Sequence, residues 1–325
     1  MSKVSINLVT WNGAKYIDNC LRSVLAQTYK DYSILIIDNC SSDETVPIIK
    51  EQFPQLNVIQ HKENFGFAKA HNQAVHWSKS DYILMLNQDV VLAPGYLENI
   101  VSFLDKNPMA GSVSGKILRL QEDQKTNYID TVGLRIYKNY RVVDMGAGEM
   151  DEGQYDAITE VFGVSGALPV YRRKALEEVI YLQEYFDESF FMYKEDVDLA
   201  HRLLTAGWTS WRIPMAIAYH DRTVSSPYEK MSAVKVAKNW THKSKFSKFY
   251  SYRNHLYFLK KNLPSLTLSV FWYELVKFLF VLVAETKNLK AIKDYFGVRK
   301  QLKAKRELIQ KRRKISEEKL SSWLS

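Results

Sequence analysis

A regular alternation of short apolar runs with helical patterns is the feature that most constrains how this chain folds. Residues 5–9, 32–37 and 82–86 are apolar runs of strand length, and residues 17–25 and 97–104 repeat apolar side chains at helical spacing. Strands that alternate with helices predict a mostly parallel sheet with helices on both faces. We therefore expect an α/β fold. From residue 112 to about residue 160 the apolar residues are scattered and polar and glycine turns are frequent, which predicts an irregular excursion with short strands.

Polar side chains stand where two of these apolar runs end. Asp38 closes the run 34–37, and Asn87-Gln88-Asp89 follows the run 82–86. In an open α/β sheet, ligands bind outside the carboxyl ends of the strands. Mg²⁺ and Mn²⁺ prefer oxygen ligands, and they are usually held by one or two carboxylates together with substrate phosphates. The pattern predicts a site for a metal-bound, phosphorylated small molecule.

The segment that begins at Asp38 carries a second acid, Asp43. A carboxylate at a strand end can accept a hydrogen bond from a nucleobase imide or a ribose hydroxyl, and a helix N-terminus favours phosphate. The alternative is that both acids only cap a turn and a helix. Ser41, followed three residues later by Glu44, predicts a capping box at the start of that helix.

Residues 63–68 form a further polar cluster before a predicted helix. Gly66 allows close approach of the backbone to a ligand, and the amide of Asn64 can both donate and accept hydrogen bonds. The alternative is an ordinary loop and helix start.

Three acids, Glu195, Asp196 and Asp198, fall in the first turn of a predicted helix. They would complement the helix dipole. However, the apolar residues 190–193 just before them indicate apolar surroundings, in which burial and like-charge crowding raise carboxyl pKa values toward those of a general base.

His220 follows a short predicted strand and has no other histidine nearby in the sequence. An imidazole in that place can complete a metal shell together with Asp89. The alternative is a structural histidine with no ligand.

These segments together resemble the family 2 inverting glycosyltransferases of GT-A fold, and within them the rhamnosyltransferase-like branch. The resemblance covers roughly residues 3–225 and implies a Rossmann-like, mostly parallel sheet. A shorter match, Tyr252-Arg253-Asn254, lies beyond it. The matching segments are residues 9–12, 37–43, 63–68, 86–89, 165–167, 186–188 and 191–199, and His220.

The resemblance implies a role for each of these residues. Those implied to bind the sugar-nucleotide donor are Thr10, Asp38, Asp43, Asn64, Gly66, Asn87 and Gly166. Asp89 and His220 would hold Mg²⁺ or Mn²⁺ on the diphosphate. Asn87 departs from the family, since many relatives carry Asp there, and this weakens the metal site without removing it.

The resemblance also implies the catalytic residues. Asp196 would be the general base, with Glu195 beside it, and would take a proton from the acceptor hydroxyl in one inverting displacement. Asp198 would orient Arg202, four residues on, or hydrogen-bond the acceptor.

The end of the chain differs in character from the beginning. The protein has 325 residues and a formal net charge of +9, and its basic residues gather after about residue 235. We expect a GT-A domain over 1–230 and a helical, basic region over 231–325. Residues 287–319 predict attraction to anionic lipid, the alternative being a solvated helix face. Charge alone also fits nucleic acid, but no nucleic-acid motif accompanies it.

Residues 266–284 approach the length of a membrane span, but Glu274 and Lys277 interrupt them. The segment predicts either a helix lying in the membrane interface or one packed on the protein itself.

The remaining expectations concern compartment and partners. Only two cysteines are present, and no signal peptide is visible, so we expect a cytoplasmic protein at the inner face of the cell membrane. The branch resemblance implies dTDP-L-rhamnose as donor, with UDP-sugars open, and a polyprenyl-diphosphate-linked glycan as acceptor. A second copy, in a homodimer, is a further expected partner.

Two rival functions are compared with the sequence. A nucleotide-sugar-binding module without turnover would share the donor site. A sugar nucleotidyltransferase would need a glycine-rich, basic loop after the first strand, and residues 10–15 match it poorly. The absence of G-x-G-x-x-G after that strand disfavours a dinucleotide oxidoreductase.

Overall fold

The computed structural model describes residues 1–221 and 244–325. The strands are β1 (Val4–Thr10), β2 (Tyr32–Asp38), β3 (Val58–Gln60), β4 (Tyr82–Asn87), β5 (Val90–Leu92), β6 (Ala110–Gln121), β7 (Gln124–Thr131), β8 (Leu134–Ile136), β9 (Val142–Asp144), β10 (Thr159–Val161), β11 (Val170–Arg172) and β12 (Thr209–His220). The helices are α1 (Ile17–Leu25), α2 (Thr45–Gln52), α3 (Gly66–Trp77), α4 (Tyr96–Lys106), α5 (Arg173–Val179), α6 (Glu195–Thr205), α7 (Lys245–Asn262), α8 (Leu268–Ala284), α9 (Lys290–Arg312) and α10 (Glu317–Ser321).

In this part of the chain, ten strands form one mixed sheet in the order β10-β12-β6-β11-β4-β1-β2-β3, with β5 beside β12 and β7 beside β6. The first half is parallel: β1 pairs with both β2 and β4, and β2 pairs with β3. These strands are apolar runs because helices cover both of their faces, as in other α/β sheets. The predicted fold class is confirmed.

One expectation about the middle of the chain is wrong. The pattern from residue 112 to about residue 160 predicted an irregular excursion with short strands, but β6 is a buried strand of 12 residues at the centre of the sheet. Most of its polar side chains are buried, which is why the apolar pattern is missing. The Ser112 hydroxyl lies 2.7 Å from that of Ser210, and the Ser114 hydroxyl donates to the Leu168 carbonyl at 3.0 Å.

The expected capping box is also wrong. Helix α2 begins at Thr45, after Glu44, rather than at Ser41. The Ser41 hydroxyl instead accepts a hydrogen bond from the backbone N–H of Asn12, at 2.9 Å. The hydroxyl is therefore used to join the loop after β1 to the loop after β2, and it is not available to the helix.

The C-terminal helices pack against the sheet-bearing part of the molecule. A shared apolar cluster joins Phe162 and Leu204 to Phe258 of α7 and Leu302 of α9. The expected domain boundary at residues 230 and 231 lies outside the described residues. Within the described ranges, no helix has the length and apolar character needed to cross a membrane.

Candidate active site

The carboxyl ends of β1, β2 and β4 bring the first predicted site residues to one edge of the sheet. Because these strands are parallel and in register, Thr10 lies beside Asp38, and Val9 lies beside Asn87. The Thr10 hydroxyl donates to the side-chain oxygen of Gln88. Residues that are up to 78 positions apart in sequence therefore share one edge.

The two acids of the β2 loop are used differently. Asp38 is 3% exposed, and its Oδ2 accepts from the backbone N–H of Ser41 at 3.1 Å. Its Oδ1 is buried and has no hydrogen-bond partner among the described residues. Both oxygens of Asp43 already accept, from Ala14 at 3.0 Å and from Thr45. The open acceptor on Asp38 is the feature of this loop that a ligand donor would satisfy.

The hydrogen bonds to Asp43 also affect its charge. Burial raises the pKa of this carboxyl, but the bonds from Thr45 and Ala14 lower it more, so that the net pKa is below the ordinary value. Asp43 is therefore ionised at neutral pH. In this structure its contacts hold the loop after β1. That loop lies next to the sheet edge formed by the carboxyl ends of β1, β2 and β4, which is called the donor edge below because several residues implied to bind the donor lie there.

Gly66 is required by a contact within the protein. Its φ is +76°, a conformation that favours glycine, and a Cβ there would lie 2.5 Å from the ring of Phe191. The backbone N–H of Ala68 donates to the Phe191 carbonyl at 3.2 Å. The side-chain oxygen of Asn64 accepts from the Gly66 N–H at 2.8 Å and from Nδ2 of Asn39 at 2.9 Å. The close approach expected at Gly66 is thus made by Phe191, in the loop before α6.

Asp89 and His220 lie together, as expected. The Nε2 of His220 is 3.3 Å from Oδ1 of Asp89, and its Nδ1 is 2.8 Å from Oδ2 of Asp130. The Asp89 side chain is 22% exposed, whereas those of His220 and Asp130 are buried. A carboxylate that holds the far ring nitrogen is the usual arrangement behind a metal-binding histidine.

The ligand atoms of Asp89 and His220 suit a divalent cation whose remaining ligands are oxygens of a substrate diphosphate. The described residues contain no group of three or more His, Cys, Asp or Glu side chains suited to hold a metal ion by themselves. Asp89 and His220 supply two ligands, which is the number expected when phosphate oxygens supply the others. We therefore regard the pair as compatible with Mg²⁺ or Mn²⁺.

The charge at this pair is set by the two acids. Burial lowers the pKa of His220, but the hydrogen bonds with Asp130 and Asp89 raise it more, to about 10. The imidazole is therefore protonated here, and a metal ion would have to replace the proton on Nε2. Lys15 and Asp221 lie at the same place: their side chains are 3.1 Å apart, and the Asp221 N–H donates to the Asp89 carbonyl at 2.9 Å.

Asp196 begins α6 beside Gly166. Its Oδ2 accepts from the Gly166 N–H at 2.9 Å, and its Oδ1 accepts from the Val197 N–H at 2.8 Å. The side chain is partly exposed. Burial raises the pKa of Asp196 above its ordinary value, although these two hydrogen bonds oppose the rise. A partly exposed carboxylate with a raised pKa has the properties of a general base.

Gly166 also joins Asp196 to the donor edge. The carbonyl of the next residue, Ala167, accepts from the Asn87 N–H at 3.3 Å, just before Asp89. A Cβ on Gly166 would meet the Asp196 carboxylate at 3.3 Å. The segment that carries Gly166 thus fixes the acid of α6 relative to the end of β4.

Glu195 is buried and poorly satisfied. It is 5% exposed, and its Oε2 has no hydrogen-bond partner in the described ranges. Burial, and then the charge of Asp196, raise the pKa of Glu195 well above its ordinary value. The side chain therefore favours the neutral form.

Asp198 and Arg202 lie inside the protein. The Nε of Arg202 donates to Asp198 at 2.9 Å, which matches the expected orienting pair, and the side chains of Asp198 and Arg202 are 0% and 2% exposed. Lys261 of α7 also contacts Asp198, at 2.8 Å. The alternative in which Asp198 binds the acceptor has no support here, because the carboxylate does not reach the surface.

The loop before α6 has a strained backbone. Phe191, Tyr193 and Lys194 have φ values of 62°, 68° and 69°, which non-glycine residues seldom adopt. Asn254 of α7 donates to the carbonyls of Phe190, Met192 and Tyr193 at 2.7–2.8 Å. Such a conformation persists only where its surroundings hold it, and here α7 does so.

Several residues of this site were not identified from sequence. Asp130 lies in β7, in the stretch expected to be irregular, and no local signal pointed to it. Gln88, Lys15 and Asp221 lie next to predicted residues but needed the folded contacts to be placed. Asn254 had one signal, the short match at residues 252–254, but that match did not indicate a role.

A family model supplies the class of the protein. The chain belongs to glycosyl transferase family 2, whose model matches residues 5–180. An N-acetylglucosaminyl-diphospho-decaprenol L-rhamnosyltransferase of Mycobacterium tuberculosis is 25% identical over 238 residues, which cover 67% of this chain and 76% of that relative. The putative teichuronic acid biosynthesis glycosyltransferase TuaG of Bacillus subtilis is 29% identical over 122 residues, covering 37% of this chain and 48% of that protein.

Solved structures agree on the fold. GalNAc-T7, solved with UDP, GalNAc and Mn²⁺, matches with a TM-score of 0.63 at 14% identity, over 95% of this chain and 55% of that one. TarS of S. aureus matches with a TM-score of 0.51 at 16% identity, over 81% of this chain and 49% of that one. The chain thus spans about half the length of these two proteins. At such identities the likeness establishes the GT-A fold alone.

Proposed function

We propose that the protein is an inverting, metal-dependent glycosyltransferase that moves L-rhamnose from dTDP-L-rhamnose to a hydroxyl of a polyprenyl-diphosphate-linked glycan. The family supports glycosyl transfer, and the activity that the mycobacterial relative is named for supports both the sugar and the lipid-linked acceptor. The teichuronic acid relative supports a place in cell-surface polysaccharide synthesis, and we propose that the protein acts at the inner face of the cell membrane.

The observation that carries the proposal is the position of Asp196. A carboxylate with a raised pKa stands at the start of α6, and the Gly166 segment holds it next to the end of β4, where Asp89 and His220 meet. A base and a diphosphate site at one edge are what a single displacement on a sugar nucleotide needs.

In the proposed reaction the acceptor hydroxyl attacks the anomeric carbon from the face opposite the diphosphate. The new C–O bond forms as the bond to the diphosphate oxygen breaks, and the hydroxyl proton passes to the Asp196 carboxylate. The sugar carries oxocarbenium character between the two bonds. Because the displacement is single, the anomeric configuration inverts and no covalent enzyme intermediate forms.

The leaving diphosphate needs its growing charge neutralised. Asp89 and His220 would hold the divalent cation that supplies this neutralisation when it is bound. Asp130 keeps the His220 ring aimed at Asp89. Lys15 is a further cation at this end of the site.

The nucleobase of the sugar-nucleotide donor has a candidate hydrogen-bond partner in Asp38. Its buried Oδ1 lacks a hydrogen-bond partner among the described residues, and the imide N–H of a pyrimidine base would provide one. Thymine and uracil both carry this imide group, so Asp38 would accept a dTDP donor and a UDP donor alike. The choice of L-rhamnose therefore rests on the relative.

Substitution of the proposed base tests this function. We expect Asp196→Asn to leave donor binding nearly intact and to reduce transfer by about 10²–10⁴-fold, the usual contribution of a general base. Donor binding is measured as the rise in the thermal midpoint with dTDP-L-rhamnose and Mn²⁺. Transfer is measured as release of dTDP in the presence of a polyprenyl-diphosphate-linked acceptor.

Glu318→Gln, at an exposed acid of α10, is the matched control and should retain full transfer. Full activity of Asp196→Asn would remove Asp196 as the base. A wild-type protein that binds the donor but transfers to no acceptor would point instead to a binding module without turnover.

A further inference from the structure

Helix α8 carries its two charged side chains, Glu274 and Lys277, on the side that faces the protein. Glu274 is hydrogen-bonded to His255 of α7 at 2.8 Å, and Lys277 contacts Glu274 at 3.3 Å. The Lys277 ammonium also lies over the ring of Tyr252, 5.3 Å from its centroid. The two charges that interrupt this apolar segment are thus paired with each other and with α7.

The apolar side chains of α8 point the other way. Val276 and Val283 are 63% and 83% exposed, and only Val270 and Val281 of this helix are buried. At about 100° per residue, the exposed apolar positions fill an arc of about 200°. Members of this outer face are Phe271, Trp272, Val276, Leu279, Leu282 and Val283.

This arrangement is the reverse of an ordinary surface helix, which turns its apolar face inward and its charges outward. A contiguous apolar face of this width at the surface of a water-exposed protein marks a contact with another apolar body. Within the described residues no helix can cross a membrane, so such a contact with lipid would run along the membrane surface rather than through it.

Charge beside the face indicates which apolar body it contacts. Lys287, Lys290 and Lys293 follow α8 directly, and all three are exposed. A broad apolar face flanked by lysines is the pattern of a helix that lies in the interface of an anionic bilayer. A second copy packed in parallel on this face would bring the same lysines close together, which like charges disfavour.

We propose that α8 lies in the plane of an anionic lipid bilayer, with its outer face among the acyl chains and Lys287, Lys290 and Lys293 at the headgroups. The proposal deepens the lipid-linked acceptor suggested above, because it names the surface that meets the lipid. It narrows the expected membrane contact of residues 287–319 to the first three lysines of that segment, because several cations further along α9 are used inside the protein. Lys305 binds Asp187 and Glu184, and Arg306 donates to the carbonyls that end α7.

Vesicle co-sedimentation of the full chain tests the proposal without any transfer reaction, so that it can fail while the proposed function stands. The probe is vesicles of phosphatidylglycerol with phosphatidylcholine, compared with phosphatidylcholine alone. We expect binding to the anionic vesicles, and a partition roughly tenfold or more lower for Leu279→Gln with Val283→Gln, since two apolar side chains leave the lipid.

The matched control replaces two exposed apolar residues far from α8, Leu182→Gln with Met215→Gln, and should bind like the wild type. All four positions are exposed, so the thermal midpoints should stay close to that of the wild type. As a second measurement, brominated lipid should quench part of the tryptophan emission, and Trp272→Phe should remove that part.

Four results would overturn the proposal. The first is that the wild type does not bind the vesicles, and the second is that the α8 variant partitions as the wild type does. The third is complete loss of binding in high salt, which would leave charge as the only attraction. The fourth is a wild-type dimer that forms without lipid and that the α8 variant abolishes. The last result would assign the face to a second copy of the chain.

Discussion

At the scale of single residues, the two acids that begin α6 differ in ways that sequence does not show. Asp196 is partly exposed and accepts two backbone hydrogen bonds, whereas Glu195 is 5% exposed with one oxygen unsatisfied. Both carboxyls have raised pKa values, and burial is the larger cause in each. Adjacent residues on one helix turn therefore divide into one that can exchange a proton with a bound molecule and one that cannot.

The raised pKa of Glu195 predicts a pH-dependent cost to stability. A carboxyl whose pKa is higher in the folded state stabilises the protein below its unfolded value, near pH 4.3, and this contribution is lost as the pH rises through the folded value. We therefore expect Glu195→Gln to raise the thermal midpoint at pH 8, by about 2 °C or more, because the amide stays neutral where the carboxyl would have to ionise inside the protein.

The gain should shrink as the pH falls through the pKa of Glu195 in the folded protein. The measurement is the thermal midpoint of variant and wild type over a pH series, with Glu177→Gln, at an exposed acid of α5, as control. A difference that stays constant with pH would mean that the pKa of Glu195 is the same in the folded and the unfolded protein.

At the scale of elements, α7 holds the loop that leads into the candidate active site. Asn254 is fully buried and donates to three carbonyls of the loop that leads into α6. Arg253 donates to the Ser189 and Phe190 carbonyls, at 2.8 and 3.1 Å. The same loop meets Gly66 through Phe191. Helix α7 therefore holds the connection between the donor edge and the proposed base.

This contact predicts a positioning role for Asn254. We expect Asn254→Ala to lower kcat by roughly tenfold to a hundredfold, since a shift of about 1 Å in a catalytic group has an effect of that size. The rise in thermal midpoint on adding donor and Mn²⁺ should be kept. A purely structural role would instead lower stability and leave kcat per folded molecule unchanged.

Asn107→Ala is the matched control, because Asn107 also donates to a backbone carbonyl, that of Phe103 at 2.8 Å, but near the end of α4. It should leave kcat as in the wild type. If both variants lose transfer in proportion to their loss of stability, the positioning role is wrong.

At the scale of the whole molecule, buried charges join the C-terminal helices to the rest. Lys261 of α7 binds Asp187 and Asp198, and Lys305 of α9 binds Asp187 and Glu184. Lys261, Asp187 and Asp198 have no exposed surface. Buried ion pairs thus tie the C-terminal helices to the sheet-bearing part, and removal of the chain after residue 287 would leave Asp187 and Glu184 without Lys305.

Loss of one member of this network should be costly. We expect Lys261→Met to lower the free energy of unfolding by about 3–5 kcal/mol, because Asp187 and Asp198, both buried, each lose one of their two cationic partners. Denaturant unfolding measures the change. Lys300→Met, at an exposed position of α9, should change stability by less than about 0.5 kcal/mol. A cost for Lys261→Met as small as that of the control would show that the network is not buried in solution.

How far the sequence predicts this protein depends on the range over which each signal acts. Apolar runs at strand and helix spacing predicted the parallel half of the sheet, and the strand-end acids predicted the edge where Asp38 and Asp89 lie. Strand β6 was missed because its buried polar side chains, such as Ser112 and Ser114, find partners far away in sequence. Asp130 was missed for the same reason, because its partner His220 is far away in sequence.

By itself, the sequence determined the class of fold and pointed to most of the residues proposed for the site, because local periodicity and the residues that end each strand are short-range properties. The tertiary structure alone decided which acids are open and which are used: Asp198 is sealed by Lys261 and Arg202, whereas Asp196 stays partly exposed. It also turned Glu274 and Lys277 inward and left the apolar side of α8 outside. Burial and pairing decide both outcomes, and they depend on contacts between segments that local pattern does not encode.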